Sequence, residues 1–292
     1  MRLAAFLAAT ILVFYAAAPE ALEPRQLNEK LFEAAKKGRT DEAIGFLKQG
    51  ASVKARDRFG NTALLLAART GRVKLIKALL EAGSEIDRRN LGGSSALLRA
   101  ATARRGRVAK ALIEAGADVN LLSLKNLSPL AAAAYNGDGD LLRLLLRQGA
   151  RVDVVDNSGK TAIVYAAGKG FVGIAATLLD AGVDVNARYG NELSALMWAA
   201  GHANDVPPRE GAAMVRYLLA RGAETDPRDD RGRTALMTAA EQDHVEVVEI
   251  LIEAGARTDL EDKQGKTARD LAGETESLDA ARALDAASAA KP

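Results

Sequence analysis

Residues 57–89 read DRFGNTALLLAARTGRVKLIKALLEAGSEIDRR, and residues 156–188 read DNSGKTAIVYAAGKGFVGIAATLLDAGVDVNAR. Both are 33 residues long and follow one plan: Asp-x-x-Gly-x-Thr, a short alanine-rich run, a glycine, a longer apolar run, and a second glycine. The plan extends along the chain. Gly50, Gly83, Gly116, Gly149 and Gly182 follow one another at intervals of 33, Gly222 comes 40 later, and Gly255 returns to 33. Thr62, Ser95, Ser128, Thr161, Ser194, Thr234 and Thr267 keep the same beat. Two independent series with one shared slip of seven residues define an internal repeat carrying a single insertion within 201–211.

Each unit has a physical reading. Thr62 is placed as a helix N-cap, its hydroxyl accepting from an orphan amide of the first turn. Ala63 to Ala68 then form a short helix whose small side chains let neighbouring helices approach closely. After Gly71 a second helix presents Leu75, Ile76, Leu79 and Leu80 as a core-facing stripe, and Gly83 ends it in the left-handed conformation. The stretch up to the next N-cap, such as Val119 to Leu127, is too short for a helix and reads as a hairpin-like finger. The expected fold is an all-α solenoid of stacked helix-turn-helix units with short β-hairpin-like fingers.

The chain resembles the ankyrin repeat family from residue 25 onward. The motifs that carry the resemblance are Asp57-Arg58-Phe59-Gly60-Asn61-Thr62, Asp156-Asn157-Ser158-Gly159-Lys160-Thr161 and Asp229-Asp230-Arg231-Gly232-Arg233-Thr234, with the helix endings Glu114-Ala115-Gly116-Ala117-Asp118-Val119-Asn120 and Glu253-Ala254-Gly255-Ala256. The family's frequent Thr-Pro-Leu-His is altered: proline survives only at Pro129, and Leu65, Val164, Met197 and Met237 stand where histidine would. Packing is expected to replace the lost hydrogen bonds. The units fall at an N-terminal cap 25–56, repeats 57–89, 90–122, 123–155, 156–188, 189–228 (with the insertion) and 229–261, and a closing cap 262–284 that loses the apolar second-helix stripe. Residues 285–292 read as a frayed tail, and the insertion reads as a surface turn.

Residues 1–18 stand apart. Arg2 precedes an uncharged apolar run of 16 residues, Leu3 to Ala18, and the flank 19–24 is acidic. The run is shorter than the roughly 20 residues of a spanning helix, so it reads as a Sec-type export signal, placing the solenoid in the periplasm or outside the cell. Pro19 after Ala16-Ala17-Ala18 disfavours cleavage, which keeps a membrane-anchored adaptor as the rival. The alanine-rich signal is similar to those of bacterial exported ankyrin proteins.

Enzyme chemistry is poorly supplied. There is no cysteine and only two histidines, His202 and His244, which excludes disulfides, cysteine-ligated zinc and a thiol nucleophile. Gly168-Lys169-Gly170 lacks the spacing of a phosphate-binding loop and reads as an inter-helix turn. Asp229-Asp230 and Glu261-Asp262 pair carboxylates, but at the position where the repeat needs a turn-forming aspartate. Tyr165 and Trp198 match the position of Leu66 and read as packing residues. No catalytic, metal or cofactor site is expected.

Charge is more informative. Residues 25–122 hold 20 Lys/Arg against 10 Asp/Glu, whereas 123–292 hold 19 against 26. The basic half lacks aromatic stacking partners apart from Phe59, so nucleic acid is not expected there. The resemblance implies a monomeric protein-binding module, and the charge pattern implies an acidic protein partner; one class of partner is a toxin that the chain neutralises. The candidate contact residues are Arg58, Phe59, Arg69, Arg88, Arg89, Leu91, Leu122, Leu124, Leu127 and Tyr189. Leu122, Leu124 and Leu127 belong to a leucine-rich finger expected to face solvent, an exposed apolar cluster beside the steering charges of Arg88 and Arg89.

Overall fold

The computed structural model describes residues 22–201 and 206–289. The expected export signal 1–18, His202 and the last residues of the tail lie outside that range. Helices come in pairs, with a first helix that is short in every unit but the N-terminal one and a second helix behind it. They are α1 (Pro24–Lys37) and α2 (Thr40–Lys48), α3 (Ala63–Ala67) and α4 (Val73–Glu81), α5 (Ala96–Thr102) and α6 (Gly106–Glu114), and α7 (Pro129–Asn136) and α8 (Gly139–Arg147). The series continues with α9 (Ala162–Gly168) and α10 (Val172–Asp180), α11 (Ala195–Ala200) and α12 (Pro208–Ala220), α13 (Ala235–Glu241) and α14 (Val245–Glu253), and α15 (Ala268–Glu274) and α16 (Leu278–Ala289). First helices pack on first helices and second helices on second helices along the whole row, giving two layers with one continuous core.

Local sequence sets each first helix. Thr62, Ser95, Ser128, Ser194, Thr234 and Thr267 have extended backbone, and each hydroxyl accepts the amide three residues on, at 3.0–3.4 Å. Thr161 is the exception: its hydroxyl is buried and caps nothing. Alanine dominates these helices because other helices press on them from both sides; Ala63, Ala100, Ala133, Ala166, Ala199 and Ala239 are fully buried. Leu65, Val164, Met197 and Met237 are also buried, so packing does replace the absent histidine.

The fingers are built by one repeated device. Asp57 Oδ1 accepts the amides of Phe59 and Asn61, both at 2.8 Å, closing the turn through a side chain. Asn90, Ser123, Asp156, Asp229 and Asp262 make the same pair of bonds in their own fingers. Consecutive fingers are then joined by backbone hydrogen bonds, among them Leu91 to Phe59, Leu124 to Gly92 and Asn157 to Lys125. Tyr189 replaces the turn-forming residue in the fifth finger, which becomes a true antiparallel hairpin, β1 (Arg188–Tyr189) with β2 (Leu193–Ser194). The ladder shifts there, from Gly190 to Gly159, and only glycine fits: a Cβ on Gly159 would lie 2.7 Å from the Gly190 Cα, at a left-handed φ of +76°.

Two expectations are corrected. The insertion is more than a surface turn: it lengthens the second helix of its unit, so that α12 has 13 residues where α10 has 9, and Glu210 in the added turn lies over Gly170 of the previous unit. Val206, just before it, is buried. Residues 285–289, expected as a frayed tail, are helical, because α16 runs to Ala289 and Arg269 holds Asp285 at 2.7 Å. The closing helix does lose its large apolar stripe; it buries Ala280, Ala281 and Leu284.

Two outcomes follow from this packing. Leu112 is wholly buried between units, so Leu112→Ala should lower the unfolding free energy by about 2–5 kcal/mol in urea titrations. The finger aspartates should make stability sensitive to acid. Burial works to raise the Asp156 carboxyl, but bonds from the Ser158 hydroxyl, the Tyr165 phenol and the Lys160 and Ser158 amides outweigh it and hold the group below the ordinary carboxylate range. Its contribution is therefore complete above about pH 4 and lost as pH falls through the lowered value. Asn90 performs the same turn without charge, so Asp156→Asn should keep the finger while flattening the acid limb of the urea midpoints. An unchanged acid limb would refute that assignment.

Candidate functional site

The inner helices and the fingers form the two walls of a groove. At its N-terminal end, α1, α3, α5 and the first two fingers enclose a cavity of about 1200 Å³. Four of the candidate residues, Arg58, Phe59, Arg69 and Leu91, line it together, and Phe32, Arg56, Leu66 and Arg99 complete its surface. Phe59 is 54% exposed and Leu91 67%, both large apolar side chains standing on consecutive fingertips. The Arg58 guanidinium lies over the Phe59 ring at 4.7 Å from its centroid, which covers one aromatic face.

The charges lining the cavity are six Lys/Arg against three Asp/Glu. Most are already engaged. Arg25 pairs with Glu29 at 3.1 Å, and Glu33 with Lys37 at 2.9 Å. Arg56 donates to the carbonyls of Gly60 and Arg89 at 3.0 and 2.6 Å. Asp57 spends its oxygens on the finger turn and on the Asn61 amide, and although burial works to raise its carboxyl, these bonds hold it below the ordinary range.

The leucine-rich finger differs from expectation. Only Leu124 is fully exposed, at 67%. Leu122 and Leu127 are half-buried, and Leu127 packs against the core. The reason is the turn: Leu124 lies within the bend closed by Ser123, whereas Leu122 and Leu127 flank it next to the repeat body. Arg89 is likewise occupied, donating to the Leu122 carbonyl at 3.2 Å, and Arg88 lies 3.3 Å from Glu85. Arg188 and Arg228 brace the following units in the same way as Arg56 and Arg89. Tyr189 is half-buried against the core, and burial raises its phenol. Thus Leu91 and Leu124 form a ridge with Phe59, while Leu122, Leu127, Arg88, Arg89 and Tyr189 lie outside the cavity.

Three positions escaped the sequence reading. Arg99 stands at the position of Leu66 one unit on, and the same register places Tyr165 and Trp198 further along the groove. Tyr135, 50% exposed, meets Tyr165 edge-to-face at 5.5 Å. Lys160 lies over Trp198 at 4.8 Å and over Tyr165 at 5.7 Å, and the Tyr165 phenol donates to Asp156. Burial, with this bond, pushes the phenol up to about 12. Tyr165 and Trp198 pack against the core, as expected, and with Tyr135 they also form a cation-capped aromatic strip. Counting four residues from the Ser95 N-cap finds Arg99 in the same register, whereas nothing in the repeat spacing marks Tyr135 or Lys160.

Catalytic geometry does not emerge from the paired carboxylates. Asp229 and Asp262 are the turn formers of their fingers, and Asp262 also lies 3.5 Å from Arg233. His244 begins α14, and its Nδ1 is 2.8 Å from the Ala200 carbonyl. Among the described residues no group of three His, Asp or Glu side chains is placed to hold a metal ion, and no helix is long and apolar enough to cross a membrane.

Known proteins now give the geometry a context. Three copies of the ankyrin-repeat family profile match residues 31–123, 130–207 and 196–290. The crystal structure of the human ASB11 ankyrin repeat domain is similar to this chain at 28% identity and a TM-score of 0.69, covering 78% of this chain and 98% of that one. No curated protein matches the chain.

Proposed function

The chain belongs to the ankyrin repeat family, and on that premise we propose that it is an exported, non-enzymatic module that holds a protein partner in its concave groove. Ankyrin repeats mediate protein–protein interaction, and repeat stacking absorbs the core residues while leaving the inner helix face and the fingers to vary. The observation that carries the reading is the N-terminal cavity. It joins an exposed apolar ridge to an excess of positive charge, the combination of anchor and steering field used by specific interfaces. An enzyme reading has no such support, since the carboxylates with sequence signatures are absorbed by finger turns.

Export rests on the apolar run Leu3 to Ala18 with its basic start and acidic flank. The partner then shares the compartment outside the cytoplasmic membrane. Pro19 favours a second reading, in which the segment is retained and the solenoid organises partners at the membrane surface.

Both parts are open to direct measurement. A reporter fused after residue 24 should be delivered across the cytoplasmic membrane, and the mass of the soluble protein should lack residues 1 to 18 or a few more. Full-length protein confined to washed membranes would favour the anchor, and a cytoplasmic reporter would refute export. For the groove, a photo-crosslinking residue at Leu91 should capture the partner, whereas one at Lys77, exposed on the outer helix α4, should not. Capture at Lys77 alone would place the interface on the opposite layer.

A further inference from the structure

Three cations lining the N-terminal cavity make no ion pair, hydrogen bond or ring contact among the described residues: Lys36, exposed on α1, and two arginines that face each other's charge. Arg69 follows α3, and its backbone is fixed by Arg105, whose Nε donates to the Arg69 carbonyl at 2.9 Å. Arg99 projects from the middle of α5 and is half-buried. Among the described residues neither guanidinium makes an ion pair or a hydrogen bond. Burial, and then the neighbouring charge of Arg69, hold the Arg99 guanidinium below its usual range, and the attraction of Asp57 only partly opposes them. Asp57 makes no ion pair with either arginine; its oxygens accept from Phe59 and Asn61. Two like charges on one cavity wall, Arg99 half-buried and Arg69 exposed, are costly to the free protein, and an added anion relieves both the repulsion and the desolvation of Arg99.

We propose that this cavity binds an extended acidic segment of a partner protein, with an aspartate or glutamate carboxylate seated between Arg69 and Arg99 and an apolar side chain of the same segment against Leu66, Phe59 and Leu91. The inference rests on the concave-groove reading above and names the chemistry of what enters. Guanidinium forks match carboxylates bidentately, which a lysine pair would not do. A volume of about 1200 Å³ exceeds the ~300–1,000 Å³ typical of small-molecule pockets and accommodates several residues of chain. Glu29, Glu33 and Asp57 on the same walls oppose a polyanion. Nucleic acid also finds poor stacking, because Arg58 covers a face of Phe59. A segment that alternates carboxylate and apolar side chains satisfies both the ridge and the floor.

The test is fluorescence anisotropy on the full chain with labelled ten-residue peptides that alternate glutamate with leucine and phenylalanine. Matched peptides carry glutamine, lysine or phosphoserine in place of glutamate, and a ten-base thymidine oligonucleotide serves as a polyanion. The glutamate peptide should bind at least about ten-fold more tightly than the glutamine one, as expected for charge-assisted bonds, and the lysine peptide should not bind. Arg69→Gln and Arg99→Gln should each weaken the glutamate peptide by about ten-fold or more, with Arg99→Lys in between, while Arg147→Gln on α8 changes nothing. Arg69→Gln should not lower the melting temperature, since it removes a like charge from beside Arg99. The proposal is overturned by equal binding of glutamate and glutamine peptides, by tighter binding of the phosphoserine peptide or the oligonucleotide, or by no peptide binding. It also fails if both glutamine variants bind as the wild type does. If neutral apolar peptides bind and the Leu91 crosslink persists, the carboxylate seat falls while the groove reading stands.

Discussion

No unit of this protein can bury its own apolar face. A first helix such as α3 is five residues long, far below what is stable alone in water, and its alanines have no core of their own to fill. Everything depends on the next unit closing over it. The contacts that matter are therefore offset by about one repeat: first helix on first helix, finger amide on the preceding carbonyl, Arg56 on Arg89 and Arg89 on Leu122. Asn120 adds another link, donating to the Gly149 carbonyl and accepting the Arg151 amide. Stability of this kind is a sum of units and nearest-neighbour interfaces, with end units that must face water. The acidic closing helix, with Ala280, Ala281 and Leu284 as its buried face, meets that requirement at one end.

This constraint also decides where binding is permitted. Stacking claims the second-helix stripe, the alanines and the turn formers, so residues without a stacking role stand out. Arg99 is such a residue, the one charge in a row that from α3 to α15 is otherwise filled by Leu66, Ala132, Tyr165, Trp198, Thr238 and Leu271. Phe59, Leu91 and Leu124 are others, exposed on three consecutive fingers. The N-terminal end of the groove is cationic with an apolar ridge, and its middle is aromatic with Lys160 over the rings. Toward the C-terminus the groove charges are paired internally, Arg233 with Glu241 at 2.7 Å and Lys266 with Glu274 at 2.6 Å. Unspent charge is thus concentrated at one end.

The repeat, the N-caps and the finger turns were legible because each is local: a hydroxyl and an amide three residues apart, or an aspartate and an amide two residues on. What depends on the neighbouring unit was harder to read. The leucines of 121–127 look exposed in isolation, yet Leu122 and Leu127 flank the turn next to the repeat body and are half-buried. Arg89 looks like a steering charge until the Leu122 carbonyl arrives beside it. Arg69 and Arg99 are 30 positions apart and belong to no motif, so their meeting on one floor appears only when α3 and α5 are stacked. Pro208 at the start of α12 is a helix-start signal that the loop reading passed over, whereas the helical 285–289 carry no signal that differs from a tail.

Hydrogen exchange on the full chain, alone and with its captured partner, tests the central claim most directly. The account predicts that added protection falls on residues 57–70 and 90–102, which hold Phe59, Arg69, Leu91 and Arg99, with the outer helices α4 and α6 unchanged. Protection confined to those outer helices, with 57–70 and 90–102 exchanging as in the free protein, would contradict it.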